Sequence, residues 1–315
     1  MKYVDKGVAD WKNISIFAFW IQQLCDVGRG LLRFETQDYK LQYQYSMKRL
    51  FLILILVAST IMASAQSYSD TFYSAFNIDD IAAQRQVLAD WEQAAPDDVD
   101  YLIAKYNFYA NQSVLTISDG LGAGVSETFS FCNEPMADSA LMVINAAIER
   151  YPTRLDLRFG KIYFLGSISH WDDMADEIVG MLDYSDQIGH SWVYPNMDGG
   201  MKELLSESIL DYQLMMYNTL GDWDNMQYAD SAMLMRMRRV AKRTIQVFPQ
   251  DIPAINMLAI TYTSFKDYDN AIKYLLRAEQ LDPTDEVVLQ NLADNYAMKG
   301  DKRKSKQYQD RIVKK

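Results

Sequence analysis

An all-α fold, organised as one elongated repeat array, is what this sequence predicts on three observations. At 315 residues the chain exceeds what one compact core usually organises, so it needs either two domains or an elongated array. Hydrophobic residues at 49% and charged residues at 23% exclude general disorder, while 14 Gly and 7 Pro are too few for a turn-rich all-β chain. The third observation is a self-match near the C-terminus, where the segment from Ile255 superimposes on the segment from Leu289. Two Cys and two His supply no disulfide framework and little material for histidine-based metal or acid–base chemistry.

The N-terminal region reads as a leader. Met47-Lys48-Arg49 forms a short basic head, Leu50 to Met62 is a nearly unbroken apolar run, and Ala63-Ser64-Ala65 is a small-x-small exit. These are the parts of a secretory signal peptide in the right order, which predicts cleavage after Ala65 and a mature chain from Gln66 in the periplasm or outside the cell. A transmembrane helix needs about 20 apolar residues, and this run stops short of that. Residues 1–46 then read as an upstream extension from an over-called start, with Met47 the initiator; the alternative is a cytoplasmic tail ahead of a signal anchor. Removing the 8 Lys and Arg and the 5 Asp and Glu of residues 1–65 leaves 23 basic and 37 acidic groups, a net of −14. Only Cys132 remains as a thiol, and Gln66 at the new terminus offers no lipid-attachment cysteine. Residues 66–77 read as an N-terminal segment and 78–315 as the array, roughly eleven helices.

Within that array, Ile255, Leu258, Ala259 and Tyr262 recur as Leu289, Leu292, Ala293 and Tyr296. The first copy continues through Tyr268, Ala271, Leu275, Ala278 and Pro283, and Pro249 precedes Pro283 by the same interval. Small Ala259 and Ala271 permit close approach of a first helix A and a second helix B, Tyr262 and Leu275 fill the space between units, and Pro283 stops helix B. Asp251 ahead of Ile252-Pro253 is a predicted cap. This spacing resembles the tetratricopeptide repeat, and the resemblance implies a right-handed superhelix of helix pairs. Tyr109 follows Pro96 at the interval by which Tyr262 follows Pro249, and Trp171 follows Pro152 as Tyr268 follows Pro249. Tyr217, Gly221 and Trp223 match the spacing of Tyr296, Gly300 and Lys302. The extra chain before Pro249 amounts to about three helical turns, which a longer helix B would absorb. Two clear units and about three degenerate ones follow. The turn glycine of the best unit is replaced by Lys266, and its early tryptophan by Ile255.

Two stretches leave the helical pattern, where binding residues often sit. The first, 111–135, holds Gly120 to Gly124 and Thr128 to Cys132; without a preceding strand and a wider glycine spacing it reads as an inserted loop or short hairpin, not a phosphate cradle. Cys132 has nothing basic near it in sequence to activate a thiolate. The second, 185–202, carries His190, Trp192, Tyr194 and Pro195, and has two readings: a ligand-contacting loop, or a fold-back in which Trp192 plugs a gap between repeats. Asp172 and Asp173 after His170 are expected to charge the start of a helix and not to bind metal, and the Met/Arg series from Met233 to Arg243 to pair with acidic neighbours. The segment Lys299 to Lys315, with 8 basic and 2 acidic groups, suits the charged end of an array.

For function, the resemblance implies a non-enzymatic scaffold that binds a peptide or protein segment along its concave face. Asn256, Thr263, Gln290 and Asp294 are the expected groove residues, since they fall away from the Leu258/Tyr262 and Leu292/Tyr296 faces. The family's basic clamp for a terminal carboxylate is absent, its positions including Asn256, Ile260, Gln290 and Asp294. The acidic balance favours a cationic partner and no nucleic acid; no cofactor, metal or mature membrane span is expected. A small-molecule or glycan site at Trp192 and Tyr194 is the alternative reading, and a hydrolase using Cys132 or paired carboxylates a third.

Overall fold

The computed structural model describes residues 67–119, 127–197, 199–220 and 231–313. The segment 47–65 expected to be a leader, residues 1–46, Gln66, Gly120 to Gly124, Gly221 and Trp223 lie outside the described residues. By its contacts the chain divides into Met1–Thr71 and Phe72–Lys315. The first helix, α1 (67–77), runs across that boundary, and every later element belongs to the second unit. These are α2 (Ile81–Ala94), α3 (Val99–Ser113), β1 (Val114–Asp119), β2 (Glu127–Cys132), α4 (Glu134–Arg150), α5 (Leu155–Ser167) and α6 (Trp171–Gln187). They continue as α7 (Met201–Asn218), α8 (Ser231–Val247), α9 (Ile252–Ser264), α10 (Tyr268–Leu281), α11 (Glu286–Lys299) and α12 (Lys302–Val313).

The helices pair in sequence order, α1 with α2 through α11 with α12, and the further contacts join helices of adjacent pairs, as α6 with α8 and α5 with α7, as a solenoid requires. Six pairs are described where the sequence predicted about five units. The difference is α1, read from sequence as a segment ahead of the array, which is helical and buries Phe72 and Ala75. The core is a chain of three apolar clusters: α3 to α5 around Ile144 and Phe164, α5 to α9 around Ile178 and Met237, and α9 to α11 around Leu275 and Leu292. Among the described residues no helix is long and apolar enough to cross a membrane.

Two local devices recur along the array. Asp80, Asp98, Asp251, Asp267 and Asp285 each cap a helix by accepting a hydrogen bond from a first-turn N–H, and Asp301 does the same for α12. The turn between the helices of a pair is a second constant. Asp79, Ser169, Lys266 and Gly300 all take left-handed backbone, with φ of 56°, 63°, 60° and 92°. In each case the following N–H bonds to the carbonyl five residues back: Asp80 to Ala75, His170 to Leu165, Asp267 to Tyr262 and Asp301 to Tyr296. This is the Schellman closure, which favours glycine but is filled by Asp, Ser and Lys in three of the four turns.

That turn fixes the repeat register where the side chains are degenerate. Counting back from Ser169 puts Arg158 and Lys161 of α5 at the places of Ile255 and Leu258. Both bind Glu177 of α6, at 3.0 and 2.5 Å, and Arg158 also lies 5.0 Å from the centre of the Tyr184 ring. On α7 the buried face is Ile209, Tyr212, Gln213 and Met216. It therefore corresponds to Ile255, Leu258, Ala259 and Tyr262, one residue earlier than the expected match of Tyr217 with Tyr296. Helix α8 is described from Ser231 and has 17 residues against 14 in α10, and the segment 221–230, where the lengthened helix B would begin, lies outside the described residues.

Both stretches that break the helical pattern are resolved in outline. Residues 114–119 and 127–132 pair antiparallel, Val114 opposite Cys132 and Asp119 opposite Glu127, so the insertion in the second pair is a hairpin. In the other, Val193 donates to the Thr153 carbonyl and accepts from the Leu155 N–H, which stitches the α6–α7 connection onto the α4–α5 turn.

Candidate functional site

The sequence-expected groove residues lie on α9 and α11, the first helices of the last two pairs, and a run of side-chain hydrogen bonds joins the two helices. Asn291 donates its amide to Asn256 Oδ1 at 2.8 Å. The Thr263 hydroxyl donates to Asn295 Oδ1 at 2.8 Å, with the Ala259 carbonyl its alternative acceptor at 3.1 Å. Asn295, almost fully buried, donates in turn to the Asn291 carbonyl, and Gln290 donates to Asp294 Oδ1 at 2.9 Å. A buried amide is stable only when so satisfied, and these bonds hold both asparagines in place.

Between the helices lies a cavity of about 130 Å³ lined by Ala259, Ile260, Thr263, Leu275, Asn291, Asp294, Asn295 and Met298. Thr263 and Asp294 thus line the same cavity. Asn256 belongs to the same network through Asn291, and Gln290 is exposed and reaches the cavity only through Asp294. Sequence reasoning missed Asn291, Asn295 and Met298. The signal for the first two was available as an i, i+4 pair on one helix face. The cavity is far smaller than the roughly 300–1,000 Å³ of small-molecule pockets, and matches one inserted side chain.

The loop reading of 185–202 is corrected by Trp192. Its ring is 7% exposed within the central cluster, packed on Tyr184 at 5.4 Å, and its indole N–H donates to Ser185 Oγ at 2.8 Å. With faces and N–H both occupied it has nothing left to stack on a ligand, and it acts as the plug. Tyr194 packs beside Phe159 at the edge of the same core. The Met/Arg series behaves as expected: Arg236, Arg239 and Arg243 of α8 pair with Asp172, Asp176 and Asp183 of α6. Burial and the nearby carboxylates of Glu134 and Asp138 push the Cys132 thiol up, away from the thiolate a nucleophile needs. Among the described residues no group of three or more His, Cys, Asp or Glu side chains is placed to hold a metal ion.

Helix α9, its turn and α10 match the family model described as tetratricopeptide repeat, over residues 252–285. This chain carries a tetratricopeptide repeat. No curated protein matches the chain. Among solved structures, a tetratricopeptide repeat protein from Parabacteroides merdae is similar at 11% identity, covering 79% of this chain and 78% of that one, with a TM-score of 0.38. PilW, a type IV pilus biogenesis factor, matches at 11% identity over 79% and 92%, TM-score 0.37. YrrB, described as a tetratricopeptide repeat protein with an unusual peptide-binding site, matches at 12% over 72% and 91%, TM-score 0.35. Superpositions this loose say nothing of partners. The tetratricopeptide repeat at 252–285 forms one wall of the cavity, and α11 the other.

Proposed function

We propose that this chain is an exported, non-enzymatic scaffold that holds an extended segment of another protein against the first helices of its pairs. The observation that carries the proposal is the cavity between α9 and α11. It has the size of one side chain, amides of Asn291 and Asn295 that form its polar wall, and the Asp294 carboxylate, which accepts from the neutral Gln290 amide. A carboxylate in such a place favours a cationic or donor-rich group. Without Lys299 to Lys315 the mature chain has a net charge of −20, so its field acts in the same direction.

Export rests on the leader at 47–65, and intact mass of the exported protein tests it: a mature chain from Gln66 is expected, and Leu54→Arg in the apolar run should block export. Binding is tested with a partner cross-linked and captured from the cell envelope, then titrated at low and high salt. Asp294→Lys should weaken it at least tenfold, and affinity should fall with salt. An affinity indifferent to both would place the binding surface elsewhere.

A further inference from the structure

The cavity is one end of a longer stripe. Six residues before the turn residues Ser169, Lys266 and Gly300 stand Tyr163, Ile260 and Asp294. On α7 the buried face matches that of α9, Ile209 falling at the place of Ile255, which puts Leu214 at the place of Ile260. Four successive first helices therefore carry Tyr163, Leu214, Ile260 and Asp294 at one repeat position. Tyr163 is 63% and Leu214 40% exposed, and Ile260 lines the cavity beside Asp294. Adjacent helices in this series touch: the Tyr212 hydroxyl donates to the Phe159 carbonyl, Ser206 to Asp251, and Asn291 to Asn256.

Large apolar side chains left in water on successive helices are a surface waiting for cover, and its surroundings say of what charge. On α7, Glu207 and Asp211 precede Leu214 by two turns and by one, on the same helix face, and both are exposed. Helix α9 has no charged residue at all. The single lysine of α11, Lys299, is paired with Asp269. The stripe is thus apolar from α5 to α9 and acidic beside Leu214 on α7 and at its α11 end.

We infer that the stripe recognises an extended segment bearing apolar residues at every third position and a Lys or Arg one further interval along, the cation meeting Asp294. The interval follows from packing. Neighbouring helix axes lie about 8–10 Å apart, and three residues of extended chain span about 10 Å. One side chain per helix then requires an apolar-x-x-apolar-x-x-basic order, or its reverse if the segment runs the other way. This rests on the groove reading above and adds the partner's sequence pattern.

The test is selection of displayed random twelve-residue peptides on the full chain at low salt, followed by resynthesis and titration by fluorescence anisotropy. The expected outcome is enrichment of the three-residue apolar period ending in Lys or Arg. Leu214→Gln should weaken the selected peptides roughly tenfold without lowering the melting temperature, because it loses one exposed apolar contact and no core packing. Asp294→Asn should remove the preference for the basic residue. Peptides that respond to Asp294→Asn but show no apolar period and ignore Leu214→Gln and Tyr163→Ser overturn the stripe and leave the cavity standing. Failure to select any peptide, or selected peptides indifferent to all three variants, overturns both.

Discussion

Tyr262 stacks on Tyr274 with 5.6 Å between ring centroids and 12° between planes, and one repeat further on Tyr296 stacks on Tyr308 at 5.7 Å and 9°. The same shift relates Arg277, which donates to the Pro249 carbonyl, to Arg311, which donates to the Pro283 carbonyl at 3.0 Å. The last two pairs thus repeat contacts between helices and between units, beyond the buried face alone. Each Arg donates to the carbonyl of the proline that closes the preceding pair's second helix, so successive units are locked by a hydrogen bond as well as by apolar packing.

The close contact of α9 and α10 should make Ala271 intolerant of bulk. It is fully buried, while Lys273, two residues on, is exposed. Ala271→Trp overfills the helix contact and should cost about 1–3 kcal/mol or more, against about 0.5 for Lys273→Trp. Equal melting temperatures for the two would contradict the register.

The left-handed turn gives a reciprocal pair of variants. Lys266 at φ 60° carries the strain of a side chain where glycine would carry none. Lys266→Gly should therefore stabilise by about 1 kcal/mol, or about 2–4 °C for a unit of this size. At Gly300, with φ of 92°, an added Cβ meets nothing within 4 Å, so Gly300→Ala should destabilise by a similar amount through backbone strain alone. Thermal melts of both single variants decide it, and opposite signs are the expected result.

These particulars show what the sequence made legible. The last two pairs were readable because Leu258, Ala259, Leu292 and Ala293 bury a conventional apolar face. The α5–α6 pair was not, because Arg158 and Lys161 stand at apolar places of the repeat and are held there by Glu177 and the Tyr184 ring, a solution no hydrophobic template detects. On α7 the conspicuous Tyr217 drew the register one residue too far, since Met216 fills the buried place. The site was half legible: helix faces pointed to Thr263 and Asp294, but the amides of Asn291 and Asn295 acquire meaning only when α9 lies alongside.

Trp192 supplies a test of the plug. Ser185 Oγ accepts the indole N–H and sits 2.8 Å from His190 Nδ1, so one hydroxyl fixes both ends of the turn. Ser185→Ala leaves the buried indole N–H unsatisfied and should cost about 1–3 kcal/mol. Trp192→Ala empties the site and should cost about 3–5 kcal/mol. Denaturant titration measures both; if Trp192→Ala melts like the parent chain, the ring is not structural and its return to the candidate site follows.

Two arginines two residues apart on α8 should differ sharply when removed. Arg236 meets Asp172 through two hydrogen bonds of 2.6 and 2.8 Å, but that carboxylate is largely exposed, and water and salt screen the pair. Its loss in Arg236→Ala should lower the melting temperature little and vanish near about 1 M salt. Arg238 instead donates to the Thr261 carbonyl at 2.8 Å and to its hydroxyl at 3.2 Å, with its guanidinium 4.2 Å from the Tyr262 ring centre and 4.7 Å from that of Phe265. Removing it takes a hydrogen bond from the Thr261 carbonyl near the end of α9, where helical carbonyls run out of partners, and strips two cation–π contacts. Arg238→Ala should cost about 2–3 kcal/mol. Arg238→Lys should recover little of it, because an ammonium cannot reproduce the planar fork. Since neither acceptor is charged, the Arg238 loss should persist in high salt, and a salt-sensitive loss would show that an ion pair, not this staple, joins α8 to α9.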